Sequence, residues 1–133
     1  MSESNIEIVR RLLEAGTSEH PERALELLAP DITWHGTVGG LYEGRVYEGR
    51  EAVAKGYQES FGAWEDMTLE VEDLIPAGDS VLVYWHEIAR FHDSDATIEA
   101  RTAGIYTLAD GLVVEVRTFL DRAKARETLG LDD

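Results

Sequence analysis

One carboxylate stands in apolar company along residues 81–91, VLVYWHEIARF. Side chains alternate faces along a β-strand, so Glu87 shares a face with Val81, Val83, Trp85, Ala89 and Phe91. An ionised group without a partner is costly on such a face. A carboxylate set among aromatic rings can also take up and return a proton near neutrality, which makes Glu87 the leading acid/base candidate. The competing reading gives Glu87 a rim position, or a hydrogen bond to Trp34, Tyr57 or Thr118.

Other residues of chemical interest are better explained without chemistry. His35, His86 and His92 lack HxH or HExxH spacing, and period 2 puts His86 and His92 on the face opposite Glu87, so no metal site is expected. A kink in the first strand would be needed to turn His35 inward. Asp121 stands immediately before RAKARETL and suits a helix N-cap. The glycines of GTVGGLYEG (36–44) are followed by no lysine at P-loop spacing and open no βαβ unit; a loop over a pocket mouth is the simpler reading.

The elements that must position these residues follow from periodicity. Ile6, Val9 and Leu13, with Ile8 and Leu12, recur at helical spacing over residues 4–15, and Gly16 ends the run. A short helix after His20-Pro21 turns Ala24, Leu25 and Leu28 inward. DITWHG (31–36) reads as a strand, residues 37–49 as a loop with a short strand near Arg45–Glu48, and residues 50–63 as a helix presenting Val53, Tyr57 and Phe61. Four strands then follow closely. Met67, Leu69 and Val71 share a face of the first; a PAGD turn (76–79) leads into 81–91. After HDSD (92–95), residues 97–108 align Ile98, Ala100, Thr102, Gly104, Tyr106 and Leu108. Asp110-Gly111 signals a hairpin, and residues 112–120 align Leu112, Val114, Val116, Thr118 and Leu120. Helices first and a strand meander later predict an α+β domain over residues 1–133 with one curved antiparallel sheet. Its outer face would mix Tyr84, Ile88, Ile105 and Phe119 with Arg90, Arg101 and Arg117, a composition that suits a two-fold homodimer contact.

Composition narrows the partners. The formal net charge is −15, from 27 acidic and 12 basic residues. Nucleic-acid binding rests on neutralising phosphates with a basic patch, so nucleic acid is excluded as a partner. No apolar run approaches a membrane span, MSESNIEIV has no signal-peptide pattern, and there is no cysteine, so a soluble cytoplasmic protein is expected, with no membrane partner. The acidity fits either an ordinary acidic protein or adaptation to a salty cytoplasm.

The element order, together with LLAPDITWHG, YEGREAVAKGY, VEDLIPAGDSVLVYW, IYTLADGLVVEV and FLDRAKARETLGL, resembles the SnoaL-like polyketide cyclase group. That group belongs to the nuclear transport factor 2-like superfamily, with the ketosteroid isomerases and limonene epoxide hydrolases. The resemblance covers nearly the whole chain. It implies a cystatin-like, conical domain in which a curved antiparallel sheet wraps around helices and leaves an apolar pocket at the wide end, and it implies a homodimer. In such a fold Trp34, Tyr57, Phe61, Trp85 and Phe91 would line the pocket, with Thr102, Val116 and Thr118 on its strands. Core packing explains the aromatic residues equally well.

Carried over residue by residue, the family's chemistry thins out. The ketosteroid isomerase tyrosine, aspartic acid and aspartate fall on Val9, a residue near Thr102 or Ala103, and Gly36. The polyketide cyclase aspartate, on the strand before the D-G hairpin, falls on Gly104. Of the epoxide hydrolase Asp-Arg-Asp set, Glu87 keeps one carboxylate, while Trp85 and Thr118 replace the others; Trp34 and Gly36 stand at the assisting positions. The expectation is a cofactor-independent pocket protein for a small apolar cyclic or polyketide-like molecule, with Glu87 as acid/base for cyclase, isomerase or hydrolase-type chemistry. The alternative is a non-catalytic binding or dimerisation module of the same fold.

Overall fold

The computed structural model describes residues 2–16, 18, 20–40, 43–61, 64–92 and 94–131, with the side chains of 2–4, 58–61, 64–67 and 91 outside the description. An amphipathic helix α1 (Ser2–Gly16) opens the chain. It is followed by a 3₁₀ turn (Pro21–Leu27), then β1 (Leu28–His35), β2 (Val46–Glu48) and α2 (Arg50–Phe61). The four long strands are β3 (Trp64–Ala77), β4 (Ser80–Phe91), β5 (Thr97–Ala109) and β6 (Leu112–Phe119), and α3 (Arg122–Thr128) ends the chain. The segment after Pro21 is 3₁₀ rather than α, and its continuation is already strand at Leu28, so Pro30 lies inside β1.

One six-stranded curved, unclosed sheet results, ordered β2-β1-β6-β5-β4-β3. The expected meander holds from β3 to β6, all antiparallel. The β1–β6 pairing is parallel, because the chain crosses to the far side of β6 before the meander begins. At the last hairpin Asp110 and Gly111 have φ of 53° and 81°, the conformation a two-residue hairpin demands.

The core lies between the inner face of the sheet and the helices. Ile8, Val9 and Leu12 of α1 and Val53 of α2 pack on Val81, Val83, Trp85, Tyr106, Leu108, Val113 and Val116. Arg50 fixes the start of α2 by donating from Nε and Nη2 to the Leu28 carbonyl, at 2.8 and 2.6 Å.

Of the register irregularities among the described strands, two bulges bear on the packing around the site. On β6, Thr107 faces Glu115 while Leu108 faces Val113, so Val114 is the unpaired extra residue. Val113 therefore joins the core, fully buried, where alternation placed Leu112 and Val114, and Leu120 is 43% exposed. On β3, Val71 faces Trp85 and Asp73 faces Tyr84, which leaves Glu72 extra. Arg122 of α3 fills that irregularity: its Nη2 donates to the Trp85 carbonyl at 3.0 Å and to the Glu72 carboxylate, and its guanidinium lies over the Tyr84 ring, 4.6 Å from the centroid.

This docking corrects the reading of the outer face. Ile105 and Phe119 are buried in a second cluster with Leu82, Ala103 and Ala125 of α3, and Tyr84 packs against it. They are covered by the chain's own C-terminal helix, so they are not the surface offered to a second subunit. Ile88, 41% exposed, keeps its outward position. Asp121 caps α3 as expected, accepting from the Ala123 N–H at 2.9 Å.

Candidate functional site

Pairing register places Glu87 on the inner face, opposite Leu69 of β3 and Ala100 of β5. Trp85, two residues back on the same face, is opposite Thr102. The Thr102 hydroxyl reaches diagonally across and donates to Glu87 Oε1 at 3.0 Å. Glu87 is half-buried, whereas Thr102 and Trp85 are buried. The expected burial of a carboxylate is thus relieved by a neutral hydroxyl rather than by a cation, and the partner is Thr102, not Trp34, Tyr57 or Thr118.

The inner face of β5 carries a second group that the sequence did not single out. Tyr106 is 3% exposed, and its ring meets Trp34 edge-to-face with centroids 6.4 Å apart. Burial raises its phenol well above the ordinary 10.0, and the negative charge of Glu87 raises it further. Tyr106 therefore stays a neutral hydrogen-bond donor at every physiological pH, within electrostatic reach of the carboxylate. The available signal was its place two residues beyond Gly104 on the face shared with Thr102.

Gly104 explains how the rings fit. A Cβ at this position would lie 2.7 Å from Trp85 Cζ3, 2.8 Å from Tyr106 Cε1 and 3.0 Å from Trp85 Cη2. The two rings close over the glycine, and any larger residue would collide with both. This is the position matched to the polyketide cyclase aspartate, so a carboxylate is not merely missing there; aromatic rings occupy its space. Trp85 brings one further feature: its Nε1 is buried and has no hydrogen-bond partner among the described residues.

The other candidates divide. Val116 is fully buried beneath the aromatic pair, facing Trp34 on one side and Tyr106 on the other. Thr118 faces Gly104, and its hydroxyl shares a 2.7 Å hydrogen bond with Thr37, not with Glu87. Tyr57 donates its hydroxyl to the Gly16 carbonyl, tying α2 to the end of α1, and burial raises its phenol as well. The side chains of Phe61 and Phe91 lie outside the described residues. His35 pairs with Glu115 at 3.1 Å and His86 with Glu99, both across neighbouring strands. Of the positions matched to ketosteroid isomerase groups, Val9 is wholly buried in the core, and Gly36 donates its N–H to the Arg45 carbonyl at 2.9 Å.

What the site can do chemically follows from these parts. It brings together the Glu87 carboxylate, engaged on Oε1 by Thr102, the buried Trp85 N–H, the phenol of the buried Tyr106, and the ring faces of Trp34 and Trp85.

Comparison with known proteins matches residues 9–116 to the SnoaL-like domain. No curated protein matches the chain. Among solved structures, a protein described as a SnoaL-like polyketide cyclase from Jannaschia sp. CCS1 shares 21% identity, with 99% of this chain and 95% of that chain covered at a TM-score of 0.77. A hypothetical protein of ketosteroid isomerase-like fold from Catenulispora acidiphila DSM 44928, in complex with trimethylamine, shares 17% identity over 95% of this chain and 94% of that chain, at a TM-score of 0.76. TerC, co-crystallised with polyporic acid, shares 20% identity over 96% and 98%, also at 0.77. At such identities these structures speak to the fold alone.

Proposed function

We propose, for a chain that belongs to the SnoaL-like domain family, that its inner sheet face binds a small apolar cyclic molecule and that Glu87 moves a proton on it. The observation that carries this reading is the Thr102–Glu87 hydrogen bond of 3.0 Å on a face otherwise lined by Trp85, Tyr106 and Trp34. Thr102 engages Oε1 and so orients Oε2 toward a ligand. The carboxylate takes a proton from one atom of the bound molecule and returns it to another, the net step of an isomerisation or cyclisation, with no cofactor required. Tyr106, held in its neutral form, supplies a hydrogen bond to an oxygen that gains negative charge as that proton leaves. The site lies near the end of the strands where burial gives out: Ala100 is half-buried and Ile98 is 46% exposed, which provides a route of entry.

A non-catalytic ligand carrier of the same fold is the second reading. The observation favouring it is Gly104, where aromatic rings fill the place of the family's acid/base. Polyporic acid in TerC and trimethylamine in the Catenulispora protein are in keeping with a small-molecule site under either reading.

Glu87→Gln separates the two. A panel of cyclic ketones and phenols, screened by native mass spectrometry and then by product analysis, identifies a ligand and any turnover. The catalytic reading expects Glu87→Gln to retain binding while turnover falls by about a hundredfold or more. Undiminished turnover in the variant would remove Glu87 as the acid/base.

A further inference from the structure

We propose that the Trp85 indole N–H is a ligand-recognition donor, which takes an acceptor oxygen on an otherwise apolar molecule. This rests on the reading of the inner face as a ligand site and specifies the chemistry of what it binds. An indole nitrogen can only donate. Buried tryptophan normally finds an acceptor, and an unmet buried donor is uncommon enough to need a reason. Among the described residues Trp85 Nε1 is buried without one. Thr102, directly opposite, has turned its hydroxyl to Glu87 instead. Trp85 is also held in a place cleared for it, since Gly104 has no side chain and a Cβ there would strike the ring at 2.7 Å. The other buried unpartnered atom, Arg122 Nε, has a different setting. Its guanidinium is anchored on the outer side by Glu72, the Trp85 carbonyl and the Tyr84 ring, where α3 docks.

The complementary ligand has three parts. It carries an acceptor oxygen for Trp85, an acidic hydrogen for Glu87, and a flat apolar body for the aromatic walls. The first part is the new one, and it makes a simple discrimination: a cyclic ketone should bind better than the hydrocarbon of the same shape.

The full-length protein, labelled with ¹⁵N, tests this with tetralone and tetralin as probes. The chain has three tryptophans, Trp34, Trp64 and Trp85, so three indole N–H signals are expected. Trp34→Phe and Trp64→Phe assign the Trp85 signal by elimination, without touching the site's donor. Tetralone should move the Trp85 N–H signal downfield and tetralin should not, and tetralone should bind about five- to tenfold tighter, the worth of one neutral hydrogen bond. In Trp85→Phe that ratio should fall to about one. Equal binding of both probes with the Trp85 signal moving alike for each would overturn the donor role while leaving the ligand site standing. A ratio that survives in Trp85→Phe would overturn the donor role as well. Should neither probe bind, the ligand-site reading falls, and the donor role with it.

Discussion

Gly104→Ala isolates the packing on which the site depends. Gly104 does not occupy the left-handed region, so its backbone would accept alanine without strain and the whole cost is steric. Three ring atoms lie at 2.7, 2.8 and 3.0 Å from the added carbon, and both rings are buried, Trp85 at 6% and Tyr106 at 3% exposure. Forcing one extra carbon into a packed core costs about 1–3 kcal/mol. Replacing a strand glycine by alanine returns about 0.5–1 kcal/mol of chain entropy. Taking the middle of both ranges, the net destabilisation should be about 1 kcal/mol, or a Tm lower by about 4 °C for a domain of this size. Urea denaturation and calorimetry of the two proteins measure it directly. The mechanism is checked by coupling: in a Trp85→Leu background the added methyl should cost about 1 kcal/mol less than in the parent. A Gly104→Ala protein as stable as the parent, or more so, would refute the claim that the rings close over this position.

Three other outcomes are expected. With a net charge of −15, unfolding relieves self-repulsion, so the thermal midpoint should rise from low to molar potassium chloride; a flat midpoint would remove both the repulsion argument and salt adaptation. The Arg122 hydrogen bond holds the Glu72 carboxyl below its ordinary 4.5, so Glu72 contributes stability that is present above that value and lost as the pH falls through and below it; the stability difference between the parent and Glu72→Gln should shrink over that range in denaturation curves. A homodimer is proposed through the outer-face strip around Ile88, so light scattering should give about twice 14.8 kDa and Ile88→Glu should shift the mass toward the monomer.

Much of this was legible because strand period is strict between irregularities. Residues 81–91 and 97–108 alternate without a bulge between β4 and β5, so the inward position of Glu87, Trp85 and Thr102 could be read directly from their numbers. Asp110-Gly111 declared its hairpin because few residue pairs tolerate positive φ twice. The bulges at Glu72 and Val114 were not legible, since an extra residue leaves no mark on composition, and Val113 consequently exchanged places with its neighbours. The covered outer face was also hidden. A helix as short as Arg122–Thr128 has no periodicity to say where it docks, and its anchor is a backbone carbonyl at Trp85, which no side-chain pattern reveals. Tyr106 was placed on the right face, but its role depends on how its ring leans over Gly104, and ring direction is a property of packing.

With Glu87 as the proposed acid/base, the same register gives its distance from the position that the polyketide cyclase resemblance implies. Gly104 faces Val83 on β4, and Glu87 lies four residues further along that strand. At about 3.3 Å per residue the carboxylate is displaced by roughly 13 Å from the place the polyketide cyclase pattern assigns. The displacement runs toward the end of the sheet where Ile98 is exposed and away from the buried hairpin end, where Leu108 and Val113 close the core. Gly104 admits the Trp85 and Tyr106 rings, which fill the inner face at its own level, while Glu87 stands beyond them toward the exposed end. Under the proposed function, the proton is therefore moved nearer the exposed end of the sheet than an aspartate at position 104 would move it, beside the Trp85 ring that Gly104 admits.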